Sequence, residues 1–192
     1  MEKKDIITFF DNLASGWDEG QTSKDAIIEK ILYNGGVAPQ KDILDVACGT
    51  GVLFPFYINR NVNSITGIDI SPEMVKIAKE KFPQIETICG DAEIFQFDKK
   101  FDVIMIYNAF PHFPNPEKLI GNLVSRLKDK GRLSIAHSMS REALQKHHSG
   151  GAAKVSLELP DVEALAELLT PYFNIDVIIS DNEMYQVSGI KK

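Results

Sequence analysis

The sequence predicts a three-layer α/β domain, a seven-stranded and mostly parallel sheet with its last strand antiparallel and helices on both faces. Three observations predict it. An apolar run at 43–46 passes directly into a turn bracketed by Gly49 and Gly51, as a strand buried on both faces does where it meets a ligand crevice. Strand-like and helix-like runs then alternate as far as residue 136, the order expected of βαβ units. The chain closes on two strand-like runs, 172–179 and 183–190, joined by Ser180, Asp181 and Asn182, a hairpin connection.

The elements follow in order. Residues 23–33 read as an amphipathic helix with Ile27, Ile28, Ile31 and Leu32 on one face, ended by Gly35 and Gly36. The second strand, 64–70, ends at Asp69, and Ser71 and Pro72 begin the helix after it. The third strand is expected at 85–89 and the fourth at 101–107. Asn115 and Pro116 open a helix carrying Leu119, Ile120, Leu123, Val124 and Leu127 at helical spacing, which should stop at Gly131 before a fifth strand at 132–136. Residues 138–160 read as loop-rich, with a glycine pair at 150 and 151, and a last helix is expected at 161–169.

The turn after the first strand defines the chemistry. A dinucleotide turn of the G-x-G-x-x-G type wants a third glycine, and position 54 is Phe54. Asp45, at the strand end, would repel a pyrophosphate but attract the ammonium and sulfonium of S-adenosylmethionine. Asp69 lies twenty positions beyond Gly49, the spacing at which an acidic residue meets ribose hydroxyls. Taken singly, each feature has a plainer reading as a turn, a helix cap or core.

Asp45, Cys48, Gly49 and Gly51 form a D-x-x-C-G-x-G pattern, which resembles the first motif of the Rossmann-like (class I) S-adenosylmethionine-dependent methyltransferases. The resemblance implies that Gly90, Asp91 and Ala92 contact adenine, with Asp91 accepting from the amino group, and that Asn108 and Ala109 lie beneath the methionine part. The stretch FFDNLASGWD at 9–18 is similar to the entry segment of the ubiquinone/menaquinone-biosynthesis-type small-molecule methyltransferases, which folds across the cofactor. Phe10 and Trp17 are then its cover. The expected cofactor set is Trp17, Asp45, Ala47, Cys48, Gly49, Gly51, Asp69, Ile70, Met74, Asp91, Ala92 and Asn108.

Length and composition set bounds on this reading. A chain of 192 residues, 44% hydrophobic, suits one domain over 1–192, with 1–40 as an N-terminal helical cap and 138–160 as a segment above the active site. There is no apolar run long enough to span a bilayer, and Asp5 and Asp11 stand where a signal peptide needs its hydrophobic stretch, so a cytoplasmic location is expected. Cys48 and Cys89 read as small buried thiols rather than a disulfide or metal ligands. A net charge of −6, without a basic stripe, argues against nucleic acid as partner. The oligomeric state stays open, a homodimer among the options.

The four histidines, His112, His137, His147 and His148, all fall after the fourth strand. Methyl transfer is an in-line displacement aided by a base when the nucleophile carries a proton, so His112 and His137, at the ends of strands four and five, are the catalytic candidates. His137 with His147 and His148 could instead bind a metal such as zinc, and the plainest alternative is solvated loop histidines. The expected function is methyl transfer from S-adenosylmethionine to a small molecule. The rivals are a cofactor-binding protein without catalysis and a metal-binding protein.

Overall fold

A computed structural model describes residues 1–19, 24–148 and 151–192. Its centre is a seven-stranded sheet built from β1 (Asp42–Val46), β2 (Ser64–Asp69), β3 (Glu86–Cys89), β4 (Phe101–Tyr107), β5 (Leu127–His137), β6 (Phe173–Ser180) and β7 (Tyr185–Lys191). The spatial order is β3-β2-β1-β4-β5-β7-β6. β1 runs parallel to both β2 and β4, and β7 runs antiparallel to both β5 and β6. The chain walks outward from β1 to β3, then returns to place β4 on the other side of β1. A crevice opens at that reversal, beyond the carboxyl ends of β1 and β4.

Period-two alternation divides the core. Leu44, Val46, Ile104, Ile106 and Ile135 face one layer, packed with Leu119, Ile120 and Leu123 of α5 (Pro116–Arg126) and Leu165 and Leu169 of α7 (Val162–Leu169). Ile43, Val103 and Met105 face the other, against Ile28, Ile31 and Leu32 of α2 (Asp25–Asn34), Phe54 and Tyr57 of α3 (Phe54–Asn59) and Ala78 of α4 (Pro72–Lys81). The N-terminal α1 (Lys3–Leu13) lies across α4 and the cavity described below.

Two stretches differ from the sequence expectation by more than a residue or two. α5 ends at Arg126, and β5 begins at Leu127, which pairs with Phe101. Gly131 is therefore not a helix stop. A Cβ on it would lie 3.0 Å from the Lys128 carbonyl and 3.2 Å from that of Asp102, so it permits close strand packing at the register shift. The stretch 138–160 is also less loop-like than expected, containing α6 (Arg141–His148) and a 3₁₀ turn at Gly151–Val155. Ser140 caps α6 by accepting from the Ala143 amide at 3.2 Å, and Leu144 buries its inner face.

Candidate functional site

Two backbone bends shape the crevice. Ala47 follows β1 with φ 55° and Asn108 follows β4 with φ 53°, both left-handed. Asparagine tolerates this conformation, whereas alanine pays about 1 kcal/mol for it. The bends carry the chain out of the sheet while the Cys48 amide still donates to Ile68 O at 3.2 Å and the Asn108 amide to Ala136 O at 2.8 Å.

The cavity encloses about 630 Å³. Of the expected cofactor residues, Trp17, Ala47, Cys48, Gly49, Asp69, Ile70, Met74, Asp91, Ala92 and Asn108 line it. Gly49, at φ 55°, faces open space: the nearest atom to an added Cβ is Trp17 Nε1, 3.9 Å away. A ligand can thus approach the backbone there. Gly51, at φ 85°, does not line the cavity, and an added Cβ would meet Phe54 at 2.6 Å. Its role is turn geometry and packing. Asp45 is also off the surface, buried at 2% with Oδ2 lacking a hydrogen-bond partner.

The carboxylates give this end of the cavity its character. Asp69 Oδ2 accepts from the Gly49 amide at 2.8 Å and Oδ1 from the Ser71 amide at 2.9 Å, which leaves lone pairs for ligand hydroxyls. Burial raises the Asp69 carboxyl above its ordinary range, and those amide bonds oppose the rise. Burial, with the charge of Asp69 second, pushes Asp45 well up. Burial likewise raises the Cys48 thiol, which keeps it un-ionised at the cavity wall. Both acids favour a cationic ligand, and Gly49 and Asp69 suit a nucleoside. The residues present fit S-adenosylmethionine.

The N-terminal segment closes the cavity from above. Lys3 Nζ bridges Asp91 and Glu93, at 2.6 Å from Glu93. Asp11 accepts from the Ser71 hydroxyl, and Asp18 accepts from the Thr50 hydroxyl at 2.7 Å and from Lys81 at 2.8 Å. These ties hold Phe10 and Trp17 over the crevice, their rings edge-on with centroids 5.8 Å apart. Since Asp91 Oδ2 already accepts from Lys3, an adenine amino group would share that carboxylate.

The histidines separate. His112, on the 3₁₀ turn after β4, lines the cavity, and its Nδ1 stands 2.8 Å from the Val155 carbonyl. A carbonyl only accepts, so Nδ1 carries hydrogen and the lone pair of a neutral ring is on Nε2. His137 is 1% exposed and packs edge-on to Tyr185, centroids 5.9 Å apart, outside the cavity lining. Alternation explains this: His137 shares the Ile135 face, toward α5 and α7, while Ser138 turns to the cavity. The side chains of His147 and His148 lie outside the described residues. Among the described residues no group of three or more His, Cys, Asp or Glu is placed to hold a metal.

Sequence reasoning did not single out Lys3, Lys24, Tyr107 or Ser138, all of which line the cavity. No local spacing joins them. Among the described residues no helix is long and apolar enough to cross a membrane.

Residues 43–131 match the family described as a methyltransferase domain. The chain is 30% identical over 141 residues to malonyl-(acyl-carrier protein) O-methyltransferase 1 of Ilyobacter polytropus, covering 71% of this chain and 53% of that protein. It is 28% identical over 142 residues to the demethylmenaquinone methyltransferase of Renibacterium salmoninarum, covering 69% and 58%. The chain thus spans about half the length of the curated relatives it matches, 53% and 44% for two of them. Among solved structures, the N-methyltransferase NodS of Bradyrhizobium japonicum, in complex with S-adenosyl-l-homocysteine, superposes with a TM-score of 0.77 at 12% identity, covering 96% of this chain and 97% of that one. At that identity the likeness speaks to fold alone.

Proposed function

We propose that this chain, which belongs to the Rossmann-like methyltransferases, transfers a methyl group from S-adenosylmethionine to a small-molecule acceptor. The observation that carries the reading is one cavity at the carboxyl ends of β1, β2 and β4 that gathers Gly49, Asp69, Asp91, Asn108 and His112. When bound, the cofactor supplies a methyl group on a cationic sulfonium, open to in-line displacement.

The chain's own groups divide the work. Gly49 admits the ligand to the backbone, Asp69 accepts from ribose hydroxyls, and Asp91 and Ala92 border the adenine. A bound cation would draw Asp45, behind the wall, toward its ionised form, so that it adds to the charge of Asp69 at the surface. Phe10 and Trp17 exclude water, which strengthens each electrostatic contact beneath them. His112, with its tautomer set by Val155, is the base for an acceptor that carries a proton. In this reading residues 1–192 work as one domain, with 1–40 as the cap and 138–160 as part of the acceptor wall.

Calorimetric titration of the protein with S-adenosylmethionine and S-adenosylhomocysteine, with NAD as control, tests the proposal. Both adenosyl compounds should bind in the micromolar range and NAD should give no heat. Asp69→Ala should weaken both by roughly tenfold or more, as loss of a charge-assisted hydrogen bond to a hydroxyl does. Absence of binding to either adenosyl compound would end the proposal.

A further inference from the structure

The cavity has a second polar cluster, away from the adenine-side carboxylates, centred on Ser138. Its hydroxyl accepts from Tyr107 Oη at 2.7 Å and from Asn108 Nδ2 at 3.3 Å. The Asn108 amide is fixed in that orientation because its Oδ1 accepts from the Ser138 backbone N–H at 3.0 Å. With both lone pairs of the Ser138 hydroxyl engaged, its hydrogen is left to donate. Ser138 is 3% exposed and lines the cavity.

Lys24 completes the cluster. Its Nζ donates to the Ser138 carbonyl and lines the same cavity. Among the described residues no carboxylate pairs with it. The other cavity cation, Lys3, is paired with Asp91 and Glu93, while Asp69 is held by backbone amides. Asp25, beside Lys24, is exposed on the cavity rim. A half-buried ammonium next to an idle hydroxyl donor presents two donors without an anion. Around them the wall is apolar, from Ile28, one turn beyond Lys24, to Met139 and Leu144.

We infer that the acceptor is a small organic anion with an apolar body, and that Lys24 and the Ser138 hydroxyl hold its carboxylate or phenolate oxygen. This rests on the methyltransferase reading only for the word acceptor; the anion site is a separate claim about binding. Lys24 supplies the charge and Ser138 the direction. Tyr107 and Asn108 are positioning residues that orient the Ser138 hydroxyl.

The test titrates benzoate, 4-nitrophenolate, benzamide and nitrobenzene into the S-adenosylhomocysteine-loaded protein at about pH 8, where both acids are ionised. At least one anion should bind roughly tenfold tighter than its neutral counterpart, a preference that weakens with salt. Which anion is favoured separates a carboxylate acceptor from a phenolate. Lys24→Met should remove the preference and Lys24→Arg retain most of it, while affinity for S-adenosylhomocysteine stays within about threefold in both, showing an intact fold. Ser138→Ala should lower anion affinity by roughly fivefold. Equal binding of anion and neutral probe, no binding of any probe, or a preference that survives Lys24→Met would overturn the inference. If S-adenosylhomocysteine itself fails to bind, the cofactor reading fails, and the same titrations on the unloaded protein still decide the anion site.

Discussion

The Phe10 ring meets the His112 imidazole edge-on, centroids 4.9 Å apart and planes at 80°. One residue belongs to the helix that covers the crevice and the other to the turn that carries the candidate base, so closing the cover and orienting the base are one packing event. Phe10→Ala should weaken S-adenosylhomocysteine binding by roughly tenfold, the worth of about 1.4 kcal/mol of lost aromatic contact. Turnover should fall further than affinity, since His112 loses a wall. Calorimetry with single-turnover kinetics checks this, and equal losses in both would mean that Phe10 serves the cofactor alone.

The two glycines of the first turn should fail differently. Gly51→Ala drives a Cβ into Phe54 at 2.6 Å, besides the left-handed backbone, and should destabilise the fold by about 2–4 kcal/mol. Gly49→Ala meets nothing closer than 3.9 Å, so it should cost only about 1 kcal/mol of stability while obstructing the cofactor. Urea unfolding alongside S-adenosylhomocysteine titration separates them. A larger stability loss for Gly49→Ala would contradict the packing assigned to Gly51.

Asp45 predicts a pH dependence. Burial raises its carboxyl, so the folded protein keeps that proton more tightly than the unfolded chain does. Full stability is then present below the ordinary carboxylate value of 3.8, and stability is lost as pH rises through the raised folded value. Asp45→Asn, neutral throughout, should be more stable than the parent by about 1–2 kcal/mol at pH 7, and the gap should close toward pH 4. The same variant should bind S-adenosylmethionine more weakly, because asparagine cannot ionise in response to the bound cation as Asp45 can. Thermal melts at the two pH values check the sign; a variant less stable at pH 7 would show that the Asp45 charge stabilises the empty fold.

Much of the strand pattern was legible because it is local. The fourth strand was expected at 101–107, and that is where β4 lies, since its run of apolar residues needs no distant partner to be recognised. β5 was expected too short because Leu127 continues the helical spacing of α5, and only its pairing with Phe101 makes it a strand residue. α6 has a capping signal at Ser140, but the glycine pair at 150 and 151 so soon after it reads as a loop in the sequence alone.

In the site, Gly49, Asp69 and Asp91 were legible from motif and spacing, each sitting where a strand ends. The choice between His112 and His137 was not, because both end a strand and the sequence does not say which face is open. Lys24 and Ser138 stand 114 positions apart, and Lys3 and Asp91 88. No periodicity connects such pairs.

By itself, then, the sequence determined the succession of strands and helices, the turn at Gly49 and the acidic residues around it. Those follow from backbone freedom and apolar spacing within a few residues. The tertiary structure alone decided that His137 is packed away, that Gly51 serves the fold, and that Lys24 reaches Ser138. The physical reason is that strand pairing, the packing of α2 on the sheet and the placement of α1 across α4 and the cavity set which side chains meet, and these are contacts between residues remote along the chain.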